Sequence, residues 1–252
     1  QMSEHCSHCT EGVLAQGTPQ GHEAQICFVN AYWAKKFEGA TSAIVIATDL
    51  FGQEFVNVRL IADALSKHTG FTVVVPDIFN GKSMSPELFD LPESERQERM
   101  NEFLKKQGYP DQKVPIIRSV IYELKNKKGM EKVAVLGFCY GGRISVVLAA
   151  EDQTVAHVIC HPAPLKVPEE IEAIKHPTLW ICAEVDPTFG KADREKAEQV
   201  LKERGTTSYT FRDFPGTVHG FACRGDPKDP KVQKAQEEAL QAMIDFFNKE
   251  LA

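Results

Sequence analysis

The sequence predicts an α/β fold, a mostly parallel central sheet with helices on both faces. Two observations predict it. Short apolar, β-branched runs alternate along the chain with longer amphipathic stretches, and 252 residues suffice to bury one large core. Strand–helix alternation implies βαβ units, whose right-handed crossovers cover both faces of a parallel sheet.

The elements follow in order. Residues 25–34 are expected to add an early strand at one edge. Ala43-Ile44-Val45-Ile46-Ala47 is a buried-strand pattern, and residues 57–67 form a helix with Val58, Ile61, Ala62 and Leu65 on one face. Thr72-Val73-Val74-Val75 is a second strand, closed by Pro76. Residues 116–127 are helical, with Ile117, Val120, Ile121 and Leu124 on one side. Lys132-Val133-Ala134-Val135-Leu136 is a third strand, residues 143–150 a short helix and residues 155–160 a fourth strand. Thr178-Leu179-Trp180-Ile181-Cys182 is a fifth, residues 191–204 a helix and residues 208–211 a sixth strand. Residues 233–249 close the chain as an amphipathic helix carrying Ala239, Met243, Phe246 and Phe247. The charged segment 83–110, with Pro86, Pro92 and Pro110, breaks the alternation. It is expected to form a cap-like excursion with a helix over residues 93–107. The domain reading is therefore a 1–25 N-terminal extension and one α/β domain over 26–252.

Bulk composition narrows the function classes. A net charge of −6 gives no basic footprint for nucleic acid or an anionic membrane. No apolar run approaches the roughly 18 residues that span a bilayer, and the polar N-terminus shows no signal-peptide core. Seven cysteines is an odd number, and Cys27, Cys160 and Cys182 fall in apolar, strand-like runs. They are expected to be buried, reduced thiols of a cytoplasmic protein rather than a disulfide framework.

The chemistry concentrates at Gly137-Phe138-Cys139-Tyr140-Gly141-Gly142, which follows a strand and precedes a helix. That is the setting of a nucleophile elbow with cysteine in the serine position, the device of α/β-hydrolase folds. The turn is so sharp that the residues two before and two after the nucleophile must be tiny, and Gly137 and Gly141 are. The helix N-terminus favours a thiolate at Cys139, and the Tyr140 backbone N–H is a natural oxyanion donor. The remaining partners are expected in the chain order nucleophile, acid, histidine. Asp186 lies just past the fifth strand, where Pro187 favours an extended turn; Glu184 is the rival acid. An aspartate in such a turn also serves as an ordinary Asx cap. His219 follows the sixth strand in Pro215-Gly216-Thr217-Val218-His219-Gly220-Phe221, a loop expected to leave it mobile and exposed enough to shuttle a proton. His161, at a strand end before Pro162, is the distractor that lines a pocket.

With these residues in place the chain resembles the dienelactone hydrolase (carboxymethylenebutenolidase) family. The resemblance runs from about residue 26 onward. It is carried by Ile44-Val45-Ile46-Ala47-Thr48-Asp49-Leu50-Phe51-Gly52, Val75-Pro76-Asp77, the cysteine elbow and His219-Gly220-Phe221-Ala222-Cys223-Arg224. It implies an α/β-hydrolase fold, a Cys139–His219–Asp186 triad and an oxyanion hole formed by the N–H groups of Leu50 and Tyr140. It further implies a resting-state contact at Asp49 and a substrate-carboxylate contact at Arg224. Asp49 is one methylene shorter than the glutamate of bacterial members, and Arg224 lies one residue further from the histidine. These departures point to a broader class of lactonase or esterase. Arg96, Arg99 and Arg118 fit no motif and are expected on solvated helix faces.

The expected activity is cysteine-dependent hydrolysis of a small lactone or ester by a monomer or homodimer, without cofactor or metal. Alternatives are a broad carboxylesterase or thioesterase, a thiol peptidase, a catalytically dead binding module, or a non-hydrolytic thiol or metal-binding protein. The last gains from His5-Cys6-Ser7-His8-Cys9, which offers ligand types without the second pair of a structural zinc site unless His22 or Cys27 joins. A redox role needs a resolving cysteine beside the elbow, and the local sequence supplies none.

Overall fold

The computed structural model describes residues 7–34, 39–205 and 207–252. Eight strands form one sheet in the order β1-β2-β4-β3-β5-β6-β7-β8. In chain order the strands are β1 (His22–Ile26), β2 (Val29–Trp33), β3 (Ser42–Ala47), β4 (Thr72–Pro76), β5 (Lys132–Phe138), β6 (Ala156–Cys160), β7 (Thr178–Val185) and β8 (Tyr209–Val218). The helices are α1 (Val56–Thr69), α2 (Glu93–Gln107), α3 (Val114–Lys128), α4 (Tyr140–Leu148), α5 (Glu169–Glu172), α6 (Lys191–Arg204), α7 (Phe221–Arg224) and α8 (Pro230–Leu251). All pairings from β4 to β8 are parallel, and β1 and β2 add antiparallel strands at one edge.

β3, β4 and β6 are buried along their whole length, as strands covered on both faces must be. On one face α1 packs against α7 and α8. On the other, α3 and α4 lie over β3 and β5, while α4, α5 and α6 close a second apolar cluster around Trp180. Trp180 stacks on Phe211 at 5.0 Å and on Phe189 at 5.3 Å between ring centroids. Helix ends follow local chemistry: Asp229 caps α8 by accepting from the Lys231 N–H, with Pro230 in the first turn.

The strand order places the site. After β3 the chain moves outward to β4, and then returns to the other side of β3 to form β5. The carboxyl ends of β3 and β5 therefore flank the topological switch point, where open α/β sheets hold their ligands. Asp49 and Leu50 leave the first of these ends and Cys139 the second.

Three expectations need correction. The early edge strand is a hairpin, because Cys27 and Phe28 both take left-handed φ values of 49° and 66°. Two such residues make a I′-type turn, and the usual Asn-Gly or Asp-Gly signal is absent here. Cys27 is consequently a half-buried turn residue rather than a strand-core thiol. Its Sγ lies 2.9 Å from the Ser119 carbonyl and 3.0 Å from Glu123 Oε2, and burial together with Glu123 pushes the thiol up to about 11. The sixth parallel-patterned strand is also longer than expected, reaching Val218 as β8. The segment 83–110 does carry a helix, α2, over residues 93–107.

Candidate active site

Cys139 sits between β5 and α4 with φ 51° and ψ −108°, a conformation that a non-glycine residue holds only when its surroundings impose it. Three backbone hydrogen bonds do so: its N–H donates to the Cys160 carbonyl at 3.1 Å, and its carbonyl accepts from Arg143 at 3.3 Å and Ala163 at 2.8 Å. The flanking glycines are required sterically. A Cβ on Gly137 would run into the Gly141 carbonyl, and one on Gly141 into the Ala47 carbonyl. Tyr140 opens α4, so its N–H has no acceptor within the helix. Leu50 lies just past β3, with its carbonyl taken by the Met84 N–H at 2.9 Å.

His219 follows β8 directly, and its N–H is tied to the Val185 carbonyl at 3.0 Å. Gly220 then turns at φ 91° into α7, a conformation that favours glycine, and a Cβ there would push on the Arg224 guanidinium. Contrary to expectation, His219 is buried, with 2% of its surface exposed, because β8 extends to its door and α7 covers it. Its Nδ1 lies 3.0 Å from both Asp186 carboxylate oxygens. Asp186 Oδ1 also accepts from the Thr188 N–H at 2.9 Å, the Thr188 hydroxyl at 2.8 Å and the Phe189 N–H at 3.2 Å. The Asx turn and the imidazole contact thus coexist at Asp186. Glu184, the rival, is exposed and accepts from the Gly216 N–H at 2.6 Å. Proximity favours Asp186.

The electrostatics are those of a buried ion pair. Cys139 is held well below the usual thiol range, first by the Cys9 contact and then by His219 and Arg224, against the opposing effect of burial. Burial disfavours a charged His219, but Asp186 and Cys139 outweigh it and lift the imidazole well above its usual value. Burial likewise opposes ionisation of Asp186, and His219 and Thr188 overcome it, so the carboxylate stays below its usual range. Among the described residues His219 Nε2 has no hydrogen-bond partner of good geometry. The imidazole nevertheless has Cys139 as a side-chain partner and shares a cluster with Cys139 and Cys9 in which the three ligand-type atoms lie within 4.8 Å of one another. His161 packs edge-on against His219, ring centroids 5.1 Å apart, and burial drives its pKa well down.

Cys9 was not foreseen here. The 3-10 turn Ser7–Thr10 lies over the elbow and brings Cys9 Sγ to 4.0 Å from Cys139 Sγ. A cysteine beside the elbow therefore exists, supplied from 130 residues away. His8 and Cys9 are held here rather than with His22 or Cys27; His5 and Cys6 lie outside the described residues. The segment is pinned at several points. Arg224 Nη2 donates to the carbonyls of His8 at 3.0 Å and Cys9 at 3.1 Å. The Val13 N–H donates to the Arg224 carbonyl at 3.0 Å, and Asn57 donates to the Val13 carbonyl at 2.9 Å. Glu11 pairs with Arg96 at 2.8 Å and His8 at 2.7 Å.

These contacts change the reading of Arg224. The residue is fully buried, and its guanidinium already serves two backbone carbonyls and Asp49 Oδ2, the latter at 3.5 Å. Asp49 in turn accepts from the Phe51 N–H at 3.0 Å. Burial raises Asp49 to about 6 despite Arg224, with the Cys139 charge adding to the rise. Arg96, Arg99 and Arg118 bind Glu11, Glu95 and Glu151 respectively, and none of them joins the elbow cluster.

The chain as a whole has relatives among known proteins. The profile described as the dienelactone hydrolase family matches residues 29–251. A protein named carboxymethylenebutenolidase homolog from Homo sapiens is 31% identical over 239 residues, 91% of each chain. A protein named hydrolase pyvD from Aspergillus violaceofuscus is 28% identical over 249 residues, 96% of each chain. Among solved structures, a dienelactone hydrolase from Anabaena variabilis superposes with TM-score 0.63 at 18% identity, covering 91% of this chain and 96% of that one. An esterase from Pyrococcus furiosus gives TM-score 0.68 at 13% identity, covering 96% and 97%. Both structural matches bear on the fold alone, which is the α/β-hydrolase arrangement.

Proposed function

Because the chain belongs to the dienelactone hydrolase family and is a hydrolase of esters or lactones, we propose that Cys139 is its nucleophile, worked by His219 and Asp186 on a small-molecule substrate. The observation that carries this reading is the buried thiol–imidazole–carboxylate arrangement, in which Asp186 meets His219 Nδ1 at 3.0 Å and Cys139 is a second side-chain partner of the same imidazole. The Cys139 thiolate attacks the carbonyl carbon, and the backbone N–H groups of Leu50 and Tyr140 receive the developing oxyanion. His219 donates its Nε2 proton to the leaving alkoxide, which in a lactone stays attached as the ring-opened end. Water, deprotonated by His219, then cleaves the thioester and restores the pair. Asp186 keeps the imidazole in the tautomer and orientation that both steps need.

The preferred substrates are small. The elbow is covered by the Ser7–Thr10 turn, and Cys139 keeps only 2% of its surface exposed, which disfavours a polypeptide. Arg224 is engaged by His8, Cys9 and Asp49, so an anionic substrate reaches it only by displacing that turn. This favours a broader esterase or lactonase over one specialised for a carboxylated dienelactone. The catalytic unit is proposed as a single domain over 26–252, active as a monomer or homodimer. No helix among the described residues is long and apolar enough to cross a membrane, and the six described cysteines are free thiols. The thiols support a cytoplasmic setting.

The test is hydrolysis of p-nitrophenyl acetate and a panel of small lactones by the wild type and Cys139→Ala. A loss of at least ~10³-fold is expected, the scale seen when a triad nucleophile is removed; equal rates would sink the mechanism. Asp186→Ala is expected to lose activity and Glu184→Ala to keep it, and the reverse would move the acid to Glu184.

A further inference from the structure

We propose that Cys9, Cys139 and His219 form a zinc-binding site that shuts the hydrolase off. The ligand types are right for Zn2+: two thiolates and one imidazole, the soft and borderline donors that tetrahedral zinc prefers. The spacing is right as well. Two sulfurs bound at ~2.3 Å around a tetrahedral zinc stand ~3.8 Å apart, and the Cys9 and Cys139 sulfurs are 4.0 Å apart. The imidazole nitrogen completes a triangle whose edges are all within 4.8 Å, so small side-chain rotations close the set around one ion.

The imidazole is also held in a suitable orientation. Asp186 fixes His219 Nδ1 at 3.0 Å, and a further side-chain partner of the imidazole is the Cys139 sulfur. A carboxylate behind an imidazole whose other side faces sulfur is the outer-shell arrangement that orients zinc-ligating histidines. The nearby guanidinium of Arg224 does not present an uncompensated cation to the ion, because Asp49 faces it at 3.5 Å.

The functional consequence follows from the provenance of the ligands. Cys139 and His219 come from the elbow and the β8 end, whereas Cys9 comes from a turn laid over them. Zinc therefore ties the N-terminal turn down on the nucleophile and leaves one coordination position for water. Binding displaces ligand protons and moves no electrons. The site itself does not depend on the catalytic reading; only the loss of activity rests on Cys139 being the nucleophile.

The experiment is a Co2+ titration of the metal-free full-length protein, kept reduced with a phosphine. One equivalent is expected to give a thiolate-to-cobalt charge-transfer band and the intense visible bands of tetrahedral cobalt, both bleached by Zn2+. In parallel, Zn2+ should inhibit ester hydrolysis, and a chelator should restore it. Cys9→Ser, checked for folding by circular dichroism, should weaken Zn2+ binding at least tenfold and shift the inhibition midpoint equally. Absence of the charge-transfer band in the wild type, or unchanged zinc affinity in Cys9→Ser, overturns the proposal. Inhibition reversed only by fresh reductant also overturns it, by assigning the pair to a disulfide instead. A clean cobalt spectrum without any inhibition keeps the metal site and counts instead against Cys139 as the nucleophile.

Discussion

Single residues carry most of the chemistry, and they were unevenly legible. Cys139, Asp186 and His219 could be named because the elbow demands small neighbours and because the chain order of the partners is fixed. The burial of His219 could not be read in the same way, since a Gly-flanked loop and a strand end look alike in sequence. Thr188 was missed although it sits two residues past Asp186 and bonds the same oxygen; Asp-Pro-Thr is a turn signal whose second use appears only in three dimensions. Asp49 offers a test at this scale. Its charge and that of Cys139 repel each other, which is part of why Asp49 is raised to about 6. Asp49→Asn removes the repelling carboxylate and leaves Arg224 unopposed, while its amide oxygen still accepts from Phe51. The Cys139 thiolate pKa is expected to fall in this variant, read from the pH dependence of alkylation or of thiolate absorbance. A rise would show that Asp49 acts on the thiol by some route other than charge.

Among elements, those with strong periodicity were placed well. α6 and α2 occupy the residues their patterns mark, and β3, β4 and β5 fall on the β-branched runs. What escaped depends on contacts distant in sequence or on unusual backbone. The β1–β2 hairpin turns at Cys27 and Phe28, residues that rarely take left-handed φ. The Ser7–Thr10 turn is held over the elbow by Arg224, Asn57 and Arg96, none of which is near it in the chain. The turn is clamped at its edge by the part-exposed Arg96–Glu11 pair, at 2.8 Å. Arg96→Ala should loosen it, so that a bulky thiol reagent modifies Cys139 several-fold faster, while circular dichroism still reports the folded domain. An unchanged modification rate would mean that the turn is not what shields the thiol.

At the scale of the whole molecule, the strand reversal at β3 decides where the residues meet; strand–helix alternation marks a parallel sheet but leaves the strand order open, because a closed barrel alternates in the same way. The buried Asp186–His219 pair also couples the site to the stability of the fold. Asp186 is lowered in the folded state, so its contribution is present above its ordinary value of about 3.9 and is lost on acidification below it. His219 is raised, so its contribution is complete below about 6.5 and is lost as pH climbs from there through the folded value. The difference in Tm between the wild type and Asp186→Asn should thus be largest between about pH 4 and 6.5 and should shrink on either side. A flat difference across pH would separate the pair from folding. The aromatic stack in the second cluster has a further consequence. The chain holds two tryptophans: Trp33 is half-buried on the edge hairpin under Lys128, and Trp180 is sealed between Phe211 and the Phe189 ring of the turn that carries Asp186. The fold thereby contains its own optical gauge: the emission of sealed Trp180 is expected at shorter wavelength than that of Trp33, so a rearrangement of the Asp186 turn should register without any label.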